Sequence, residues 1–321
     1  MSRPRAIFFG TPAFAVPCLA SLLEVAEVVA VVSQPDRRSG RGMKERPPPV
    51  KELALREGVP HILQPTKVRT AAFAETLRGF EADVSVVVAY GRILPLRVLN
   101  AARLGALNVH ASLLPKLRGA APIQWSIVRG HRETGVCLMQ MDEGMDTGPV
   151  LAVRRTPIGP EETAGELAER LSGLGGVIIR DELPRFLAGE LTAEAQDHSA
   201  ATMAPLLSKS DGRIDWRAPA SDVHNRVRGL APWPGAFAEV PEGRVKVHRV
   251  AVAEGRSDRP PGTVLRADRH GVEIGCGQGT ILSLLELQAS GSRRMAAGDY
   301  IAGHPLQVGT SLEGTTPEDT E

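Results

Sequence analysis

Short, unbroken runs of β-branched residues recur through the first half of the chain, and each gives way to a segment with helical spacing. Val28–Val32 is one such run and Asp83–Ala89 is another. A strand with apolar side chains on both faces must be covered on both faces, which marks a parallel sheet sandwiched by helices. The order of segments fits this. Strands are predicted at Ala6–Phe9, Val28–Val32, Asp83–Ala89, Ala106–His110 and Gly135–Met141. Helices are predicted at Phe14–Leu23, Val50–Glu57, Thr70–Arg78 and Pro122–Arg129. Pro17 is compatible with the first helix only because it falls in the first turn. The fold class read from this alternation is α/β. In such sheets ligands bind outside the carboxyl ends of the strands.

With 321 residues the chain has room for two domains, at roughly 100–200 residues each. A long amphipathic segment, Thr163–Leu187, closes the first, which is expected to span 1–188. The polar, small-residue stretch 189–210 reads as a linker. After Trp216 the pattern changes. A short helix, Asp222–Gly229, precedes brief alternating runs at Ala236–Val240, Val245–Val252, Gly262–Ala267, Val272–Cys276 and Thr280–Leu287. Turn residues separate them, so a small all-β domain of the barrel type is expected over 211–312. The acidic, polar residues 313–321 read as a disordered tail.

Composition narrows the function. Lys and Arg number 38 against 37 Asp and Glu, so any nucleic-acid contact must use a local patch. Aromatic residues are only 4%, too few for broad base-stacking platforms. Cys18, Cys137 and Cys276 are odd in number and far apart, with no C-x-x-C, which argues against a disulfide framework or a zinc site. They read as small buried hydrophobes in a reducing compartment. The amino terminus is too short for a signal-peptide core, and no apolar run reaches about 18 residues. A cytoplasmic protein without membrane contact is expected.

Gly10 ends the first strand in FFGTPAF. A dinucleotide site would require G-x-G-x-x-G there, and its absence disfavours a nicotinamide enzyme. Gly10 is expected to permit a tight strand-to-helix turn, with Thr11 as a helix cap. Asn108 and His110 are two apart at the end of an apolar strand, so they share a face. An amide donor beside an imidazole suits acyl transfer, because one can hold an oxyanion and the other can move a proton. Taken alone, the pair equally fits a hydrogen-bonded strand end with no chemistry. Asp146 lies in a glycine-flanked turn between two strand-like runs, where a carboxylate could orient His110. A turn Asp also caps its own backbone, and Asp142 competes for the same role. His110 and Asp146 would supply only two ligands to a metal, with no third in view.

Gln34–Lys51, QPDRRSGRGMKERPPPVK, carries six basic side chains against two acidic ones. Such a run is often only a solvated surface. Here it follows the second strand, on the side where the site should lie, and contact with phosphates is a reasonable use. The β domain shows no comparable excess of positive charge, and Arg293–Arg294 is its most suggestive pair.

The segments FFGTPAFAVP, QPDRRSGRG, VVAYGRILP, NVHASLLPKLRGAAPIQWSI and GVCLMQMDEGMDTGPVL, in this order, resemble the folate-dependent formyltransferase family. The QPD…GRG loop and the second domain point to the branch that formylates methionyl-tRNA. The resemblance implies a Rossmann-like parallel sheet with helices on both faces, in a formyl-folate-binding catalytic domain (1–188), followed by a small OB-like β-barrel domain. It implies 10-formyl-tetrahydrofolate as co-substrate, with no metal and no nicotinamide. The acceptor would be the α-amino group of methionyl initiator tRNA, and the product formylmethionyl-tRNA for translation initiation. Asn108, His110 and Asp146 would be catalytic. Ser112, Leu113, Leu114 and Pro115 would contact the folate. Arg37, Arg38, Arg41, Lys44 and Arg46 would contact tRNA, with Arg41 at the key position. A monomer is expected. Two other readings are a formyltransferase acting on a small amine, such as a nucleotide sugar or glycinamide ribonucleotide, and a non-catalytic RNA-binding protein on an α/β platform.

Overall fold

A computed structural model describes residues 3–39, 44–240 and 242–312. The chain divides into two compact units. The first holds residues 1–122, 133–157 and 168–205, and the second holds 123–132, 158–167 and 206–321.

The first unit is built on a seven-stranded sheet in the order β5-β2-β1-β6-β7-β8-β9. β1 (Arg5–Gly10), β2 (Glu27–Val32), β5 (Ile62–Leu63), β6 (Val84–Val88) and β7 (Ala106–His110) run parallel. β8 (Glu133–Gln140) runs antiparallel to β7, and β9 (Val150–Pro157) antiparallel to β8, so the parallel sheet carries one reversed strand next to its edge. The turn between β8 and β9 joins them as an antiparallel pair, so β9 again points the same way as β7.

Helices cover both faces. Ile7, Phe9, Val29 and Ala106 pack with Ala74 and Leu77 of α3 (Ala71–Arg78) and Val98 and Leu99 of α4 (Leu96–Leu99). On the other face, Gly175 of α6 (Ala164–Leu187) lies against Cys18 of α1 (Val16–Val25) and against Val109 of β7. β1 is buried throughout from Ala6 to Gly10, as its unbroken apolar run requires. A Cβ on Gly10 would stand 2.6 Å from the Phe8 ring, so the turn out of β1 needs glycine. Thr11 is not a helix cap. Its hydroxyl donates to the Tyr90 carbonyl and accepts from the Gln34 backbone N–H, tying together the carboxyl ends of β1, β2 and β6.

Two short strands, β3 (Arg37–Ser39) and β4 (Lys44–Arg46), pair antiparallel as a ribbon within the basic segment. α2 (Pro49–Arg56) follows at once, with proline at its start. The stretch read as a linker is, as far as Pro205, part of the first unit. Glu194 pairs with Val150 and Met203 with Arg118, and Gln196 and Ala204 are buried. Its small residues permit close backbone approach rather than marking a free connector.

The second unit contains α5 (Pro122–Val128), apart from its first residue, and α7 (Ala220–Gly229). Its antiparallel sheet runs β10-β11-β14-β13-β12, with β15 beside β14. These strands are β10 (Ala236–Val240), β11 (Gly243–Ala253), β12 (Val264–Asp268), β13 (Gly271–Gly275), β14 (Ile281–Ala289) and β15 (Met295–Ala296). Trp216, Val223 and Val227 fill its core with Val247, Leu284 and Tyr300, the last from α8 (Ala297–Gly303). The tail expected to be disordered, 313–321, lies outside the described residues.

Candidate active site

β7 sits between β6 and β8, with Asn108 opposite Val87 on one side and Met139 on the other. The alternation of the strand turns Val109 toward α1 and α6 and sends Asn108 and His110 to the opposite face. His110 is buried and Asn108 is partly buried.

Asp146 comes to this pair from the β8–β9 turn. Its Oδ1 lies 3.5 Å from Asn108 Nδ2, and its Oδ2 lies 3.6 Å from His110 Nδ1. Oδ2 also accepts the Gly119 backbone N–H at 2.8 Å. Asp142, the competing carboxylate, is exposed and caps its own turn. Its Oδ1 accepts from the Gly144 N–H at 3.0 Å and the Thr147 hydroxyl at 2.7 Å. The structure thus brings Asn108, His110 and Asp146 together and leaves Asp142 on the surface.

The histidine tautomer follows from its neighbours. His110 Nε2 is 3.0 Å from the Leu117 carbonyl, which can only accept, so Nε2 carries a proton. In the neutral ring, Nδ1 then holds a lone pair on the side of Asp146. At 3.6 Å the two do not share a direct hydrogen bond. Nδ1 is therefore the nitrogen free to take a proton from a third group, and Asp146 is placed to stabilise the charge that results.

Two of these contacts depend on the loop 117–121. Leu117 has φ 61 and Gly119 has φ 119, both in the left-handed region. A Cβ on Gly119 would meet the Ala204 carbonyl oxygen at 2.7 Å. The segment 202–204 holds this loop from outside. Thr202 Oγ1 accepts from Leu117 N, the Thr202 carbonyl accepts from Arg118 N, and Ala204 N donates to the Arg118 carbonyl. Sequence reasoning missed Leu117, Gly119 and Thr202. Gly119 carried a signal, as a glycine after a strand-end histidine. Thr202 carried none, because its contact spans 85 positions.

The other predicted residues fall as follows. Ser112 is fully buried and its hydroxyl donates to the Lys116 carbonyl, closing the turn of the SLLP stretch. Its own carbonyl accepts from the Cys137 thiol. Leu113, Leu114 and Pro115 are half-buried. Burial pushes the Cys137 thiol up to about 11 and those of Cys18 and Cys276 up to about 12. Arg37 and Arg46 are exposed and line a cleft of about 640 Å³ at the carboxyl ends of β1, β2 and β6, with Thr11, Gln34 and Tyr90. A second cleft, of about 440 Å³, is lined by Lys67, Arg69, Arg92 and Ile93 among others. Neither counts Asn108, His110 or Asp146 among its lining residues. Arg38 and Lys44 lie on the paired strands of the ribbon, and Arg41 lies outside the described residues. Asp36, at the base of the ribbon, is held below the usual carboxylate range by hydrogen bonds from Lys51 and then Gln64. Among the described residues no group of three or more His, Cys, Asp or Glu could hold a metal ion. No helix among them is long and apolar enough to cross a membrane.

Residues 5–181 match the formyl transferase family, and residues 206–305 match the formyl transferase C-terminal domain. The methionyl-tRNA formyltransferase of Sorangium cellulosum (strain So ce56) is 53% identical over 311 residues, covering 96% of this chain and 99% of that protein. That of Myxococcus xanthus (strain DK1622) is 52% identical over 310 residues, covering 97% and 98%. Among solved structures, an N-formyltransferase from Helicobacter canadensis in complex with folinic acid and dTDP-3-aminofucose shares the fold. Its TM-score is 0.67 at 16% identity, covering 88% of this chain and 99% of that one. HypX from Aquifex aeolicus in complex with tetrahydrofolic acid aligns with a TM-score of 0.59 at 18% identity, covering 96% and 48%.

Proposed function

This chain belongs to the formyl transferase family, and on that footing we propose that it transfers the formyl group of 10-formyl-tetrahydrofolate to the α-amino group of methionyl initiator tRNA. The observation that carries the reading is the convergence of Asn108, His110 and Asp146, with one imidazole nitrogen fixed on a carbonyl and the other free.

The reaction forms a bond from the amine nitrogen to the formyl carbon and breaks the bond from that carbon to the folate nitrogen. Charge grows on the formyl oxygen between these events. The Asn108 amide is the donor aimed at that oxygen. His110 Nδ1 takes the proton that the attacking amine must lose and returns it to the departing nitrogen, so protons balance without an outside base. Asp146 stabilises the imidazolium while it exists and, through Gly119 N–H, is itself held in place. The products are formylmethionyl-tRNA and tetrahydrofolate.

Half-buried Leu113, Leu114 and Pro115 offer apolar contact to the folate, on a turn that Ser112 closes. The basic ribbon meets the phosphates of the acceptor arm, with Arg37 and Arg46 exposed on its paired strands and Arg41 in the stretch between them. The protein acts in the cytoplasm as a monomer, and its three buried free thiols fit the reducing compartment.

Labelled formyl-folate offered with methionyl initiator tRNA, with uncharged tRNA and with small nucleotide amines tests the reading. Label should pass to the charged tRNA alone. Strong transfer to a small amine, with none to methionyl-tRNA, overturns it.

A further inference from the structure

Gln196 comes from the segment that the sequence presents as a featureless linker, yet it is buried and uses both ends of its amide. Its Oε1 accepts from Arg118 Nε at 3.2 Å and Nη2 at 2.7 Å. Its Nε2 donates to the Asp146 carbonyl at 2.9 Å and the Gly148 carbonyl at 2.7 Å. A guanidinium can only donate and a carbonyl can only accept, so the amide has one permitted orientation. Arg118 is itself buried, and its Nη2 also donates to Nδ1 of His198.

The two carbonyls bracket Thr147 in the turn that carries Asp146. Asp146 has φ 55, a left-handed conformation that a non-glycine residue keeps only when its surroundings hold it. We propose that Gln196 is a positioning residue for the formyl-transfer site. It clamps the turn so that the Asp146 carboxylate stays on Gly119 N–H and beside His110 Nδ1, and Arg118 fixes the direction of the clamp. The inference rests on the reading of Asp146 as the catalytic carboxylate.

Gln196→Glu is the sharpest test. It keeps the acceptor for Arg118, and gives a buried cation a carboxylate, so the fold is retained. It also turns an oxygen toward two carbonyls that need donors. Displacing a catalytic group by about 1 Å can cost up to about 100-fold, so kcat should fall about 10- to 100-fold. KM for both substrates should stay within about twofold, and circular dichroism at the assay temperature should stay native even though the two unpaired carbonyls lower the melting temperature, which separates positioning from unfolding. In an Asp146→Asn background the same change should cost less than about twofold further, because the carboxylate it positions is gone. Arg118→Lys, which keeps the charge but loses the fork, is the second variant and should also lower kcat. A wild-type kcat in whichever variant folds, or losses that multiply fully with Asp146→Asn, overturns the proposal. If Asp146→Asn alone leaves kcat intact, the reading of the carboxylate fails first, and the role of Gln196 falls with it.

Discussion

Replacing Asp146 by Asn removes one charge and keeps the shape of the side chain. The new amide can keep its oxygen on Gly119 N–H, so the turn has no reason to move. What is lost is the attraction between the carboxylate and an imidazolium 3.6 Å away. At an effective dielectric near 20 that pair is worth about 4–5 kcal/mol, or roughly 10³ in rate. The Asp146 side chain retains 17% exposure, and solvent trims the figure toward its lower end. The amide nitrogen would also face Asn108 Nδ2, two donors across 3.5 Å, which adds to the loss. We therefore expect kcat to fall about 10²- to 10³-fold, with KM for folate and tRNA nearly unchanged. The assay is formylation of methionyl-tRNA from labelled formyl-folate, with kcat and KM resolved separately for each substrate. Asp142→Asn is the control. It keeps an acceptor for Gly144 N–H and the Thr147 hydroxyl, so its effect should stay within about 0.5 kcal/mol. An Asp146→Asn enzyme with near-native kcat, or a larger loss from Asp142→Asn, would refute this reasoning.

Gly119→Ala places a Cβ 2.7 Å from the Ala204 carbonyl at φ 119, so it should cost about 1–3 kcal/mol of stability in a thermal melt and lower kcat as the Leu117 and Gly119 contacts shift. The three thiols, raised to between about 11 and 12, stay protonated at pH 8, so a thiol reagent should find no fast-reacting cysteine until denaturant is added. Asp83 is held below its ordinary value of 3.8 by the Arg5 backbone N–H and then by Arg103. Its contribution is fully present above that value and lost as pH falls through the lowered one, so Asp83→Asn should depress the melting temperature at pH 7, with the gap closing below pH 3.8.

The parts of the fold that declare themselves in the sequence are those with a period. The apolar run of Val28–Val32 reads as a strand covered on both faces, and the two-residue step from Asn108 to His110 puts them on one face. The glycine-flanked turn marked Asp146 as a candidate, though spacing alone could not separate it from Asp142. Hydrogen-bond partners did that, since Asp142 spends its oxygen on its own turn. The direction of β8 is not legible, because a buried strand looks the same in either direction. Nor is the role of 189–205. Gln196 and Thr202 lie among small polar residues with no period, and their partners are 48 to 87 positions away.

That last placement bears on how the protein is made and on where it can be cut. A chain emerging from the ribosome has all seven strands of the first unit's sheet, with Asn108, His110 and Asp146, once Pro157 is out. The clasp that fixes the Leu117 carbonyl, the Gly119 amide and the Asp146 turn arrives only with residues 196–204. A fragment trimmed at Ala188, where composition invites the scissors, would keep every catalytic side chain and lose the means of aiming them. The shortest piece that preserves the aim must run at least to Ala204.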